Sequence, residues 1–391
     1  MNKPIKLCSD IIDKYDIQKL AFWLQNMPQL TKGEQTIKFE KEFSEFIGCE
    51  HSIYCNSGSS ANLLIVSGLL QSGMLKNDKI IVPQISWSTT VFPAMQLGLI
   101  PILCDCDMHN LGIDIEDLER IIKEENPAAI MLVHVLGLNS NIQKIIDLCN
   151  EKNILIIEDT CESLGSEVNS KKLGSFGLAS SFSFYFGHHI STIEGGMVCT
   201  NNKDLANIIK MIRSHGWDRD LDSNTKAFYR ASNNIPENSI SSLYTFYHMG
   251  FNLRSTDLQA FIGINQMDKI SDIVTKRQKN YFQYVNCIRK DLWKPIATKD
   301  QNVISNMGYP LIVKNKDIMY QIFKTNNIEC RPLISGSMGT QPAWKKKYKE
   351  YKSKNSNLID NYGMYLPNHQ DLTEKDIHKI CNLINEYGNN V

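Results

Sequence analysis

The sequence predicts an α/β fold, with a largely parallel, helix-covered sheet and a smaller C-terminal α/β domain. Three observations support this. Short apolar runs alternate with helix-like segments between about 50 and 200. The runs are almost continuously apolar, as strands buried on both faces require. From about 300 the pattern changes, and a new strand–helix set begins. The predicted division is 1–255 for the large domain with its N-terminal segment and 256–391 for the small one. A chain of 391 residues is long enough for both.

The predicted strands are 79–82 (KIIV), 102–104, 129–135 (AIMLVHV), 154–157 (ILII), 181–185 and 197–200. Each is short, rich in β-branched or aromatic residues, and bounded by Gly, Pro, Asn or Asp. Amphipathic segments at 61–70, 114–125 and 142–152 fall between them as helices. Residues 204–213 and 255–290 also read as helical. The stretch 220–242 is polar and rich in Asn and Ser, and is expected to form loops. Beyond it, 308–313 (GYPLIV) reads as a strand, 316–326 as a helix, and 374–387 as a closing helix.

Forty-two basic and forty-two acidic residues cancel. This gives no support for nucleic-acid binding, which normally shows a basic excess. The lysine run 345–347 reads as a solvated face. Eleven scattered cysteines in a large chain read as reduced thiols. Cys104 and Cys106 lack a second close pair or a histidine at zinc-site spacing, so no metal is expected. Residues 1–16 contain no apolar core of a signal peptide, and no apolar stretch approaches membrane-span length. A soluble cytoplasmic protein, with no membrane contact, is the expectation.

Three segments carry chemistry. Asn56-Ser57-Gly58-Ser59-Ser60-Ala61-Asn62 opens a helix. Its N–H groups, hydroxyls and helix dipole suit a phosphate, although any Ser-rich helix cap looks the same. Glu158-Asp159-Thr160-Cys161-Glu162 follows a predicted buried strand. A carboxylate there faces the crevice where open sheets bind ligands, or caps the next helix. Such a carboxylate can hold a pyridinium nitrogen protonated. Finally, 181–198 (SFSFYFGHHISTIEGGMV) places His188 and His189 after an aromatic strand and before a glycine turn. Histidine moves protons near neutrality, although a lone histidine is commonly structural.

Taken together, these segments and Gly250-Phe251-Asn252-Leu253-Arg254 resemble the sugar aminotransferase family named DegT/DnrJ/EryC1/StrS. The resemblance spans nearly the whole chain. It implies the aspartate aminotransferase-like fold of fold type I pyridoxal phosphate (PLP) enzymes. Family members carry a PLP-binding lysine six residues before the glutamate of the E-G-G turn. Here that glutamate is Glu194, and the position is His188. Imidazole cannot form the Schiff base a transaminase needs, and Lys171, Lys172 and Lys203 stand elsewhere in the sequence.

The lysine-to-histidine change resembles the 3-dehydratase branch that makes 3,6-dideoxysugars. That likeness implies PLP and its amino form, pyridoxamine phosphate (PMP), held without a covalent bond. It also implies L-glutamate as amino donor, a GDP-linked 4-keto-6-deoxy-sugar as substrate, and release of ammonia. The sugar is a hexose or a heptose. A related branch uses an iron–sulfur cluster, but Cys287, Cys330 and Cys381 are isolated here, so no cluster is expected.

By the same resemblance, His188 is catalytic. Asp159 pairs with the pyridinium nitrogen, and Ser57, Gly58, Ser59 and Ser183 surround the phosphate. Trp87 stacks on the cofactor, with a core tryptophan as the other reading, and Glu162 contacts its 3-hydroxyl. Asn252 reaches the neighbouring subunit's cofactor phosphate, which implies a homodimer with shared sites. His215, Arg219 and Arg331 contact the substrate, against ordinary surface ion pairing; arginine forks suit diphosphates. His189 is a positioning neighbour. The rival readings are a 4-aminotransferase with a displaced lysine and a non-catalytic binding protein of the same fold.

Overall fold

The structure is a computed structural model that describes residues 4–236 and 239–391. Its main sheet has seven strands: β1 (His51–Cys55), β2 (Lys79–Pro83), β3 (Ile100–Cys104), β4 (Ala129–Val133), β5 (Leu155–Asp159), β6 (Ala179–Ser183) and β7 (Gly196–Thr200). Their order is β1-β7-β6-β5-β4-β2-β3. Only β7 runs against the rest, so the expected largely parallel sheet is present. Four of the five residues in β5 and all five in β4 and β7 are buried, as sandwiching between helices requires.

Helices cover both faces. Gly58–Ser72 starts at Ser57, whose hydroxyl accepts the Ser60 N–H, and ends at Gly73 in the left-handed region. It packs on Lys203–Arg213 at Gly68, where an added Cβ would sit 3.0 Å from Ile209. On the other face, Ile115–Glu125 and Ile142–Glu151 bury Leu118, Ile121, Ile142 and Ile145. The C-terminal sheet is antiparallel, with Gly363–Pro367 between Gly308–Ile312 and Arg331–Pro332. Its core, with Tyr284 stacked on Tyr309 at 4.4 Å, continues into Val133 at the end of β4 and Leu136 and Leu138 beyond it.

Several elements differ from the sequence reading. The 220–242 stretch is not all loop: Ser223–Ser232 is helical, capped by Asp222. It buries no residue, so the apolar periodicity that reveals a helix is weak. The 255–290 segment is two helices, Asp257–Met267 and Ile270–Cys287, broken at Asp268 and Lys269. β4 stops at Val133, because His134 leads into a short 3-10 turn. β6 ends at Ser183, two residues early, and the strands at 51–55 and 363–367 were not foreseen.

Cys104 and Cys106 are buried thiols, and burial pushes both well above their ordinary pKa. Among the described residues every cysteine is free, and no helix is long and apolar enough to cross a membrane.

Candidate active site

The sheet topology gathers the three chemical segments at one edge. β1 and β6 end beside the start of β7, with Cys55 and Ser183 both paired to Gly196. β5 ends next to them, with Asp159 paired to Ser181. The Ser57 helix start, the Asp159 carboxylate and the E-G-G turn thus share the carboxyl ends of the strands, where open α/β sheets bind ligands.

Two glycines make the close approach possible. A Cβ on Gly58 would lie 2.5 Å from the Ser183 Cβ and 3.1 Å from the Cys161 sulfur. A Cβ on Gly196 would strike the Ser57 carbonyl. Ser57, Gly58 and Ser183 are therefore neighbours. Ser59 is exposed at the same helix start, its hydroxyl 3.3 Å from that of Thr89.

The adjacent carboxylates of β5 point to opposite faces, as strand alternation demands. Glu158 is sealed: it accepts N–H bonds from Gly174 (2.8 Å), Phe176 (2.7 Å) and Gly177 (2.6 Å) and contacts His134 Nε2 at 3.1 Å. Burial works to raise its pKa, but His134 and these N–H groups hold it below the ordinary value. Asp159 faces the crevice. Its Oδ2 accepts bonds from Asn62 Nδ2 (2.8 Å) and Thr90 Oγ1 (2.9 Å), and its Oδ1 accepts the Cys161 N–H at 3.2 Å. It makes no ion pair among the described residues.

Glu162 is buried nearby and accepts the Leu136 N–H at 2.7 Å. Burial, reinforced by Asp159, pushes it up to about 8, so it is a neutral acid at pH 7. Leu136 has a positive φ of 49° in this turn. Ile193, beside Glu194, has φ 72°, an unusual conformation for a β-branched residue. Backbone strain of this kind clusters at functional sites.

His188 is partly buried, and its Nδ1 is sealed from solvent without a hydrogen-bond partner. Burial lowers its pKa to about 4; Asp159 and the Cys161 backbone oppose this, and Arg277 adds to it. The imidazole is therefore a neutral base near pH 7. His189 is fully buried, with Nε2 3.0 Å from the Ser305 carbonyl, so it ties the loop to the C-terminal half.

Trp87 is 55 % exposed at the start of the Ser88–Gln96 helix, which excludes the core reading. Asn252 is exposed, and its backbone bridges to Ser214. His215, Arg219 and Arg331 are exposed as well. Arg219 packs on the Trp217 ring at 5.5 Å, and Arg331 bonds only its neighbour's carbonyl. Neither forms an ion pair among the described residues, so ordinary surface pairing does not account for them. Arg331 pairs with Tyr365 in the C-terminal sheet, and burial raises the Tyr365 phenol to about 12. The alternative lysines are engaged elsewhere: Lys171 lies over Phe176 and Lys172 pairs with Glu167 at 3.2 Å.

These residues fit a phosphorylated pyridinium. A fixed carboxylate faces the crevice without a cationic partner, a helix start lies where Gly58 leaves no side chain, and His188 has a sealed, unpartnered nitrogen. Asn62 and Thr90 were not singled out from sequence. Asn62 lies within the quoted serine segment and Thr90 three residues after Trp87, but nothing local ties either to Asp159.

A sequence profile of the DegT/DnrJ/EryC1/StrS aminotransferase family matches residues 10–385. The chain is 32% identical over 369 residues to the GDP-4-keto-6-deoxy-D-mannose 3-dehydratase of Yersinia pseudotuberculosis, with 91% of each chain covered. It is 29% identical to the GDP-perosamine synthase of Caulobacter vibrioides, covering 89% of this chain and 88% of that one. A solved GDP-4-keto-6-deoxymannose-3-dehydratase with a trapped PLP–glutamate geminal diamine superposes with a TM-score of 0.89 at 28% identity, covering 98% of this chain and 100% of that one.

Proposed function

Because the chain belongs to the DegT/DnrJ/EryC1/StrS aminotransferase family, with the fold of type I PLP enzymes, we propose that it removes the 3-hydroxyl of a GDP-linked 4-keto-6-deoxy-sugar. The product is a 4-keto-3,6-dideoxy-sugar, with ammonia released. His188 carries this reading, since it stands six residues before Glu194, where a transaminase needs its lysine. A relative named GDP-perosamine synthase keeps the 4-aminotransferase as the second reading.

Held without a covalent bond, PLP would supply the electron sink for loss of the C3 hydroxyl, with L-glutamate as amino donor. Asp159, oriented by Asn62 and Thr90, holds the ring nitrogen protonated. Ser57, Gly58, Ser59 and Ser183 hold the phosphate at the helix start. Glu162, neutral at pH 7, can donate to the 3-hydroxyl oxygen. Trp87 offers its exposed face to the ring.

His188 takes a proton from the C4′ carbon and returns it to the departing C3 oxygen. A neutral imidazole suits the first step, and the protonated form it produces suits the second. His215, Arg219 and Arg331 bind the nucleotide-sugar, with the diphosphate matching the arginine forks. Asn252 reaches the phosphate of a second subunit. Exposed Tyr185 and Phe186, in ring contact beside the His188 loop, leave apolar surface there for such a homodimer.

The test is mass spectrometry after incubating GDP-4-keto-6-deoxymannose, or its heptose counterpart, with protein, PLP and L-glutamate. The expected product has lost the C3 oxygen and gained no nitrogen. An amino-sugar product overturns the dehydratase in favour of the aminotransferase.

A further inference from the structure

The Ile270–Cys287 helix drives a guanidinium into the interior. Arg277 is 1% exposed and forms no ion pair among the described residues. Its Nη1 donates to the carbonyls of Asn306 (2.9 Å), Met307 (3.0 Å) and Asn368 (2.6 Å), and its Nη2 donates to the His188 carbonyl at 3.4 Å. Its Nε has no partner. Burying a charge costs several kcal/mol, and a carboxylate normally offsets part of that. Here carbonyl dipoles make every direct contact, and Asp371 and Cys8 act on the guanidinium only from a distance.

A neutral donor could clamp those carbonyls with less desolvation. What the charge adds is a field, and three imidazoles lie within it. His188, His189 and His369 are each lowered, by burial first and with Arg277 adding to it. The groups acting on His188 are Asp159 from the end of β5, the Cys161 backbone after it, and Arg277. Asp159 favours the protonated ring, and Arg277 opposes it.

We propose that Arg277 is a positioning residue for His188, clamping the loop that bears the imidazole and biasing that imidazole toward its neutral, proton-accepting form. This rests on the reading of His188 as the proton carrier. The clamp joins the His188 loop to three carbonyls of the C-terminal half. The charge matters because an imidazole protonated beforehand could not accept the C4′ proton.

Cys8 offers a way to alter the charge without touching the clamp. It lies on the N-terminal segment, half-buried, within the field of Arg277. Three variants of the full chain divide the proposal: Cys8→Asp adds a counter-charge, Arg277→Lys keeps charge but loses the fork, and Arg277→Met loses both. The readout is carbon-13 histidine NMR without cofactor, with the His188 signal identified by its loss in His188→Asn.

In the unmodified protein that signal should titrate at about 4. In Cys8→Asp and Arg277→Met the midpoint should rise by about one pH unit. In Arg277→Lys it should stay in place, while kcat for dehydration falls about tenfold with KM unchanged, as a misplaced base predicts. An unmoved midpoint in Cys8→Asp overturns the charge role, even if Arg277→Met fails to fold. Full kcat in Arg277→Lys overturns the clamp. Undiminished dehydration by His188→Asn instead overturns the underlying reading and leaves the titration result standing.

Discussion

In the crevice at the ends of β4, β5 and β6, both carboxylates already have partners. Asp159 is held by Asn62, Thr90 and the Cys161 N–H, and Glu162 by the Leu136 N–H. The rim formed by residues 215–232 and 244–249 is built differently. There Phe228, Tyr244, Phe246 and Met249 are exposed, Trp217 stacks near Phe246 at 6.3 Å, and Arg219 lies over Trp217. The crevice is arranged before any ligand arrives, as electrostatic catalysis requires. The rim presents aromatic faces, and Arg219 over one of them forms no ion pair among the described residues. Changes in the crevice should therefore act on the chemical step or on folding, and changes in the rim on binding.

The largest effect should come from His188→Asn. Dehydration should fall by about 10²–10⁴-fold, while added PLP still gives its bound absorbance band. Unchanged turnover would place the chemistry outside the crevice. Next is the contrast between the adjacent carboxylates of β5. Glu158→Ala leaves His134 and three N–H groups buried without their acceptor, and should destabilise folding by about 3–5 kcal/mol in denaturant titrations. Asp159→Asn should unfold at nearly the same denaturant concentration as the parent but bind PLP more weakly. Equal loss of stability in both would erase the distinction between a sealed and a ligand-facing carboxylate.

Gly58→Ala adds a methyl group 2.5 Å from the Ser183 Cβ. It should reduce stability by about 1–3 kcal/mol and weaken PLP binding, read by calorimetry. On the rim, Arg219→Ala should raise KM for the GDP-sugar about tenfold, the loss of one charge-assisted hydrogen bond, with kcat unchanged. A fall in kcat instead would make the rim part of the chemistry.

The smallest effect is a pH dependence. Glu162 is raised from 4.5 to about 8. Its native form thus binds an extra proton between those values, and its contribution to stability is full below 4.5 and lost as pH rises through 8. Glu162→Gln should flatten that decline in the cofactor-free protein, measured as melting temperature against pH. An unchanged slope would mean that Glu162 is already ionised at neutral pH.

Much of the fold was legible because buried parallel strands write themselves as short apolar runs. The closing helix Glu374–Tyr387 coincides with its prediction, since its apolar positions recur at helical spacing. Ser223–Ser232 was missed because it buries nothing. In the crevice, His188, Asp159 and the serine segment are visible because each lies in a compact local pattern. Arg277 was not, because one arginine in the polar run Lys276-Arg277-Gln278-Lys279 looks like a solvated helix face.

The sequence by itself determined the alternation of strands and helices, the register that puts His188 six residues before Glu194, and the small residues where backbone must come close. Those are local properties of spacing and residue type. Only the tertiary structure decided which of two neighbouring carboxylates faces the crevice, which side chains hold Asp159, and where the charge of Arg277 falls. Asn62 and Thr90 meet Asp159 across 97 and 69 residues, and Arg277 reaches His188 across 89. Contacts so distant along the chain leave no periodic trace, because packing and sheet order bring them together.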